Sequence, residues 1–435
     1  MPEKYFLITT YSTKTTVDRE FIKLLSKVAN HYSAEMLLIE NDYLTDHNDE
    51  KVPLPAYLER FTLVENDLVL NDNLQIKLIR NEALLMDPLA GLQGAFPDKS
   101  IIVPGLIMSL QTEPSPRLSK QIMTTGSVGR VRESSVTGKS GRRWAIAREY
   151  IVPSALLVHV KSNQIFFTRY LSYRKSGELH DLNLRFTLDS SEPETYRPEA
   201  IVRGDDHVAQ QDPLANKASN EMIRLMRPKA IVLNDAFDGI SCSYRDSGKT
   251  ADTHKRISIE HEAKITKDFI LTQTKLADKV YYLDSNHDDF LIKFLDNRSG
   301  WITDSKNYEI CLRLESARAS GKKPIIELLN LDSIDKLQYV DSTDKLYIAG
   351  IFLAHGHRGV RGSKSNFKAS TKVFNYYSAG HSHSPVVFRN GVCVGLNGKL
   401  QMDYNDHTSG WLHANSVIHP DGSQQLIPII DGKWR

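Results

Sequence analysis

The 435-residue chain has only three cysteines, Cys242, Cys311 and Cys393. They are too widely spaced for a thiolate zinc or redox motif, so a disulfide scaffold and a cysteine metal site are both set aside in favour of reduced, buried thiols. Apolar runs long enough to span a bilayer, roughly 18 residues, are missing too, and Asp18 and Glu20 interrupt the start of the chain where a secretory signal needs an apolar core. A soluble, cytoplasmic protein without a membrane partner is therefore expected. Internal repeats and low-complexity tracts are lacking, which excludes solenoids and disordered tails.

Net charge is also scarce, at +2 from 55 basic and 53 acidic residues. The near-balance hides blocks. Residues 1–100 carry 10 Lys and Arg against 16 Asp and Glu, while residues 101–175 carry 12 against 3. Residues 345–402 hold 8 basic residues and no acid. One such block is commonly plain solvated surface, whereas two favour a polyanionic partner.

What is present reads as α/β. Residues 5–10 and 35–40 form β-branched or apolar runs, and Phe21, Leu24, Leu25 and Val28 between them recur at helical spacing. Strands are expected within 100–110 and a strand pair within 152–173. The Gly-rich segment 124–143 reads as a mobile basic loop. A linker is expected at 190–198, dividing the chain into an accessory domain, 1–195, and a second domain, 196–435. Just after it, Arg197-Pro-Glu-Ala-Ile-Val-Arg-Gly-Asp205 is echoed by Arg227-Pro-Lys-Ala-Ile-Val-Leu-Asn-Asp235, with a helical pattern between. That is a βαβ unit, whose strands run parallel, so Asp205 and Asp235 emerge at one sheet edge.

The second half repeatedly delivers polar residues behind short apolar runs. They are Asp205-Asp206-His207, Asn234-Asp235-Ala-Phe-Asp238, Ser285-Asn286-His287-Asp288, His355-Gly-His357 and Gly380-His381-Ser-His383. Imidazoles, carboxylates and an amide oxygen gathered on one edge suit a hard to borderline divalent cation such as Mn, Fe or Zn. A single histidine behind a strand is most often a satisfied core or surface residue; the weight here comes from the ordered set.

In this order the motifs resemble those of the calcineurin-like metallophosphoesterases, with Asn234 and Ser285 standing where that family usually has glycine. The resemblance covers about residues 200–397. It implies a β-sandwich flanked by helices in four layers, preceded by an α+β N-terminal domain. It further implies two divalent ions, manganese first with iron, zinc and magnesium as alternatives. Asp205, His207 and His383 would hold one ion, Asn286, His355 and His381 the other, and Asp235 would bridge them. His287 would serve the leaving oxygen as proton or hydrogen-bond donor, oriented by Asp288 or Asp238. His357 would shape the second site, bind phosphate, or simply make a hydrogen bond.

The basic residues that follow His355, namely Arg358, Arg361, Lys364 and Lys368, are expected to contact successive DNA phosphates. The block from Arg117 to Lys175 would extend that track. Phe367, Phe374, Tyr376 and Tyr377 are candidates either for base stacking or for ordinary packing. The expectation is a metal-dependent DNase similar to the nuclease branch of the family, phage-encoded DNA-degrading proteins included, assembled as a homo-oligomer through residues 1–195. The alternative is a phosphomonoesterase or cyclic-nucleotide phosphodiesterase, and a non-enzymatic scaffold ranks last.

Overall fold

The computed structural model describes residues 3–42, 54–79, 84–115, 119–137, 141–243, 257–360, 366–402, 405 and 407–435. The chain is mixed α/β, with sheets covered by helices. The expected βαβ echo is present. Strands Ala200–Val202 and Ala230–Leu233 pair in parallel with Ala200 opposite Ala230, and helix Pro213–Met226 crosses between them. Its start is fixed by Pro213 in the first turn and by Asp212, whose side chain accepts from the backbone N–H groups of Leu214 and Ala215. Strands Lys279–Leu283 and Leu337–Val340 extend the parallel set, and Ala414–Ile418 and Gln424–Pro428 complete a six-stranded sheet.

Alternation along these strands sorts residues to two faces. Ile201, Ile231 and Val280 pack under Met222, Ile223, Ile270, Leu291 and Leu314 of the helices. Ala200, Val202 and Val232 turn the other way, onto Ile351, Leu353 and Val394 of a second sheet. On the far side of that second sheet, helix Phe367–Phe374 packs its rings against Phe352 and Tyr377.

The second sheet has ten strands and crosses the expected boundary at 195/196. Strands from Leu346–Ile348 to Val386–Phe388 continue directly into Ser109–Glu113, Lys120–Thr124, Ser100–Val103 and the strands before them. The joint is antiparallel, with Val387 opposite Leu110. The expected N-terminal unit is also formed: strands Lys4–Tyr11 and Glu35–Glu40 are parallel, with helix Arg19–Tyr32 between them, and Ser154–Val160 and Phe166–Ser172 form the expected pair. This five-stranded sheet packs Phe6 and Ile8 against Ile102, Leu110 and Val387.

One local expectation is corrected. Segment 124–143 is not one loop: Gly129–Val131 pairs with Thr15–Val17, and helix Gly141–Ala147 is pinned by Trp144, only 1% exposed. Residues 138–140 lie outside the described residues. The apolar run 347–353 that precedes His355 spans a turn between two strands. Leu346–Ile348 and Ile351–Leu353 form an antiparallel hairpin turning at Ala349 and Gly350, both with positive φ. Among the described residues, no helix is long and apolar enough to cross a membrane.

Candidate metal centre

Parallel strands end on a common edge in both sheets, and the loops leaving those ends carry the candidate ligands. Backbone bonds tie the loops together. The N–H groups of Asp206 and His207 donate to the carbonyls of Asn234 and Asp235, both at 2.9 Å, and Gly380 N–H donates to the carbonyl of His355 at 2.9 Å. His207, Asp235, His381 and His383 all have positive φ, between 39° and 71°. A non-glycine residue rarely adopts this backbone, and each instance costs on the order of 1–3 kcal/mol. Four such residues in one cluster mean that the surrounding packing imposes the ligand geometry.

Asp205, His207, Asp235 and His383 come together as one buried group, with one ligand atom of each within 4.8 Å of the others. The Nε2 atoms of His207 and His383 face each other at 3.1 Å, and His383 Nε2 lies 3.2 Å from Asp205 Oδ2. His207 Nδ1 is 2.9 Å from Asp238 Oδ1, which places a proton on Nδ1 and turns Nε2 inward. Asp205 Oδ1 and both carboxylate oxygens of Asp235 are buried without a hydrogen-bond partner. Buried oxygens of this kind are costly unless a cation satisfies them, and two opposed imidazole nitrogens pose the same demand. Burial alone disfavours the imidazolium of His207, yet Asp238, Asp235 and Asp205 outweigh it and raise the ring to about 9. Burial likewise opposes ionisation of Asp235, but His355, then His287 and His207, hold it well below the usual carboxylate range. A field that draws in a proton this strongly also suits a divalent ion, so these residues fit a metal.

The second set is more open. His355 Nε2 stands 3.2 Å from Asp235 Oδ2 and 3.1 Å from Asn286 Oδ1, placing Asp235 between the two sets. The half-buried His381 ring crosses that of His355 edge-on, with centroids 5.2 Å apart, while its backbone N–H donates to Asp205 Oδ2 at 2.7 Å. Burial, then His355, lowers its ring to about 4, leaving it neutral and free to ligate. Gly380 is obligatory: a Cβ there would lie 2.2 Å from Asp205 Oδ1.

His287 is 95% buried, and its Nδ1 donates to the backbone carbonyl of Asp238, which leaves Nε2 4.0 Å from Asp235 Oδ2. Of the two carboxylates expected to orient it, Asp238 supplies the bond through its main chain. Asp288 instead accepts from Tyr282 Oη at 2.8 Å and from the Ser285 N–H at 3.1 Å, holding the turn that presents Asn286. The structure also reveals supporting residues that the sequence reading passed over. Asn234 occupies its expected glycine position without left-handed backbone; its amide donates to the Arg203 carbonyl and its oxygen faces His355 Nδ1 at 3.4 Å. Gln210 donates to Asp238 at 3.0 Å, and the buried Glu262 accepts from the N–H groups of Gly239 and Ser241. Gln210 lies only three residues beyond His207, a spacing that could have flagged it; nothing in the sequence marks Glu262.

The basic residues are placed unevenly. Arg358 is exposed beside the site, its Nε donating to His357 Nε2 at 3.0 Å. Arg361 and Lys364 lie outside the described residues. Lys368 is taken up by Asp87 at 2.6 Å. In the 117–175 block, Arg169 is buried against Asp181, Arg148 pairs with Glu133 and Arg130 with Asp18. Phe367, Phe374 and Tyr377 pack on one another, and Tyr376 lies under Arg174.

No family model matches the chain, and no solved structure matches it. Its sequence is similar to Protein A1 of Escherichia phage T5, with 23% identity over 469 aligned residues, covering 99% of the chain and 83% of that protein. A phage protein is thus a relative over nearly the whole chain.

Proposed function

We propose that the chain is a divalent-metal-dependent phosphodiesterase that hydrolyses DNA, with the layered arrangement and binuclear centre of the calcineurin-like metallophosphoesterases. The observation that carries this reading is the convergence of five ordered motifs on Asp235, whose two oxygens lack hydrogen-bond partners among His207, His287 and His355. Asp205, His207 and His383 would hold one ion and Asn286, His355 and His381 a second, with Asp235 shared. Bound there, divalent ions, manganese in the first instance, polarise phosphoryl oxygens and lower the pKa of water.

The chain's own residues do the rest. Asp238 fixes His207 through its carboxylate and His287 through its carbonyl, so one loop sets both rings. His287 Nε2, aimed at the site, would pass its proton to the departing oxygen from the imidazolium form, the Nδ1 proton staying in its bond to the Asp238 carbonyl. Arg358 stands at the rim, where a guanidinium can meet a flanking phosphate.

A phosphomonoesterase or cyclic-nucleotide phosphodiesterase is the second reading, favoured by the capture of Lys368 by Asp87, which removes one cation from the expected DNA track. Parallel assays on plasmid DNA, bis(p-nitrophenyl) phosphate and p-nitrophenyl phosphate separate the two. The DNase reading expects cleavage of plasmid and diester. Hydrolysis of the monoester alone, or of the small diester with the plasmid left intact, would replace it.

A further inference from the structure

Beside the candidate metal centre lies a cavity of about 200 Å³, lined by His355 and walled by Phe352, Phe374 and Tyr377. Two polar groups lining it are incompletely satisfied. Asp284 is 95% buried; its Oδ1 accepts from Tyr339 Oη at 2.5 Å and from Lys323 Nζ at 3.5 Å, while its Oδ2 has no hydrogen-bond partner, the nearest cation being Arg358 at 3.9 Å. His357 Nδ1 is likewise buried and unpartnered. A guanidinium can only donate, so the bond from Arg358 Nε to His357 Nε2 leaves the ring proton of the neutral imidazole on Nδ1. The cavity therefore offers a carboxylate acceptor and an imidazole N–H donor against an aromatic wall, two residues along the chain from His355.

From this we infer that the cavity is a nucleobase subsite for the nucleotide next to the scissile phosphate. Every nucleobase carries an N–H donor beside an acceptor on its pairing edge and an apolar face to pack on rings. The donor would meet Asp284 Oδ2 and the acceptor His357 Nδ1–H. A space of this size admits one base and not a base pair, so the residue that enters is unpaired or turned out of its stack. The substrate so defined is a single-stranded or frayed segment, and recognition tolerates any sequence. This inference rests on the phosphodiesterase reading of the adjacent centre.

The test is titration calorimetry of the manganese-equilibrated protein with dAMP and with deoxyribose 5-phosphate, which differ only by the base. The nucleotide is expected to bind about tenfold tighter, the order of gain from one aromatic stack plus a polar contact. In Asp284→Asn, Tyr339 and Lys323 claim the amide oxygen, the NH₂ group faces the cavity, and the ratio of the two affinities should fall severalfold, to what stacking alone contributes. Equal affinities in the wild type, or an undiminished ratio in the variant, would overturn the subsite, as would absence of binding by either compound. Hydrolysis of bis(p-nitrophenyl) phosphate, measured on the same preparation, tells whether the phosphodiesterase reading falls with it.

Discussion

Replacing Asp235 by Asn keeps the shape of the side chain and removes the one anion that the proposed centre would share between its two ligand sets. Its Oδ2 stands 3.2, 3.8 and 4.0 Å from ring nitrogens of His355, His207 and His287, and neither of its oxygens has a hydrogen-bond partner. A ligand that binds only the folded state stabilises it by RT ln(1 + [L]/Kd), about 2.7 kcal/mol when the free ion is a hundredfold above Kd. For a chain of 435 residues, with an unfolding entropy of roughly 0.9 kcal/mol/K, that raises the melting temperature by about 3 °C. Loss of even a supporting group weakens metal affinity by about 10–100-fold. Loss of a shared ligand should reach at least the upper figure, which leaves a residual gain of about 0.4 kcal/mol at the same ion concentration. Melting curves of EDTA-stripped wild type and Asp235→Asn, each with and without manganese, give the two increments without comparing the apo proteins. Equal increments would refute the assignment of Asp235 to a metal.

Three further outcomes follow from the geometry. His287→Ala should retain manganese-induced stabilisation while turnover of a phosphodiester falls by about 10²–10⁴-fold; loss of the thermal shift instead would make His287 a ligand. Changing Arg358, Arg361, Lys364 and Lys368 together to Ser should flatten the salt dependence of DNA binding, each lost phosphate contact changing the slope by about 0.9. Lys368→Ser alone should leave the slope unchanged because Asp87 already holds that ammonium, and an equal effect from the single variant would contradict the ion pair. Burial first, then the charge of Asp238, pushes Glu262 up to about 7 from an ordinary 4.5. Between those values the folded state binds a proton that the unfolded state does not, so stability from this group is full below pH 4.5 and is lost as pH rises through 7. The change is roughly 3 kcal/mol; the pH profiles of melting for wild type and Glu262→Gln should diverge over this window, and parallel profiles would speak against the shift.

Periodicity and echo sufficed for the elements that are locally determined. The strands around Ile201 and Ile231 alternate between two cores, the helix between them starts at an Asp–Pro cap, and parallel pairing puts Asp205 and Asp235 on one edge whatever the remaining strands do. Long-range pairing was not legible. Nothing in Ser109–Glu113 announces Val386–Phe388 as its neighbour, so the division at 195/196 followed composition where the sheet followed hydrogen bonding. Charge was misleading for the same reason: Arg169 and Lys368 count as free cations in a sequence, and only tertiary contact brings Asp181 and Asp87 to them. At the site, which residues come together was legible from their motifs. The roles of Asn234, Gln210 and Glu262 depend on which loop lies across from which, information that no spacing within one motif contains.

The most direct test of the account is the fate of supercoiled plasmid DNA incubated with EDTA-stripped protein to which manganese is returned, alongside Asp235→Ala under the same conditions. The wild type should nick or degrade the DNA only when manganese is present, and the variant should leave it intact. Plasmid untouched by the manganese-loaded wild type, or cleaved equally by the variant, would contradict the account.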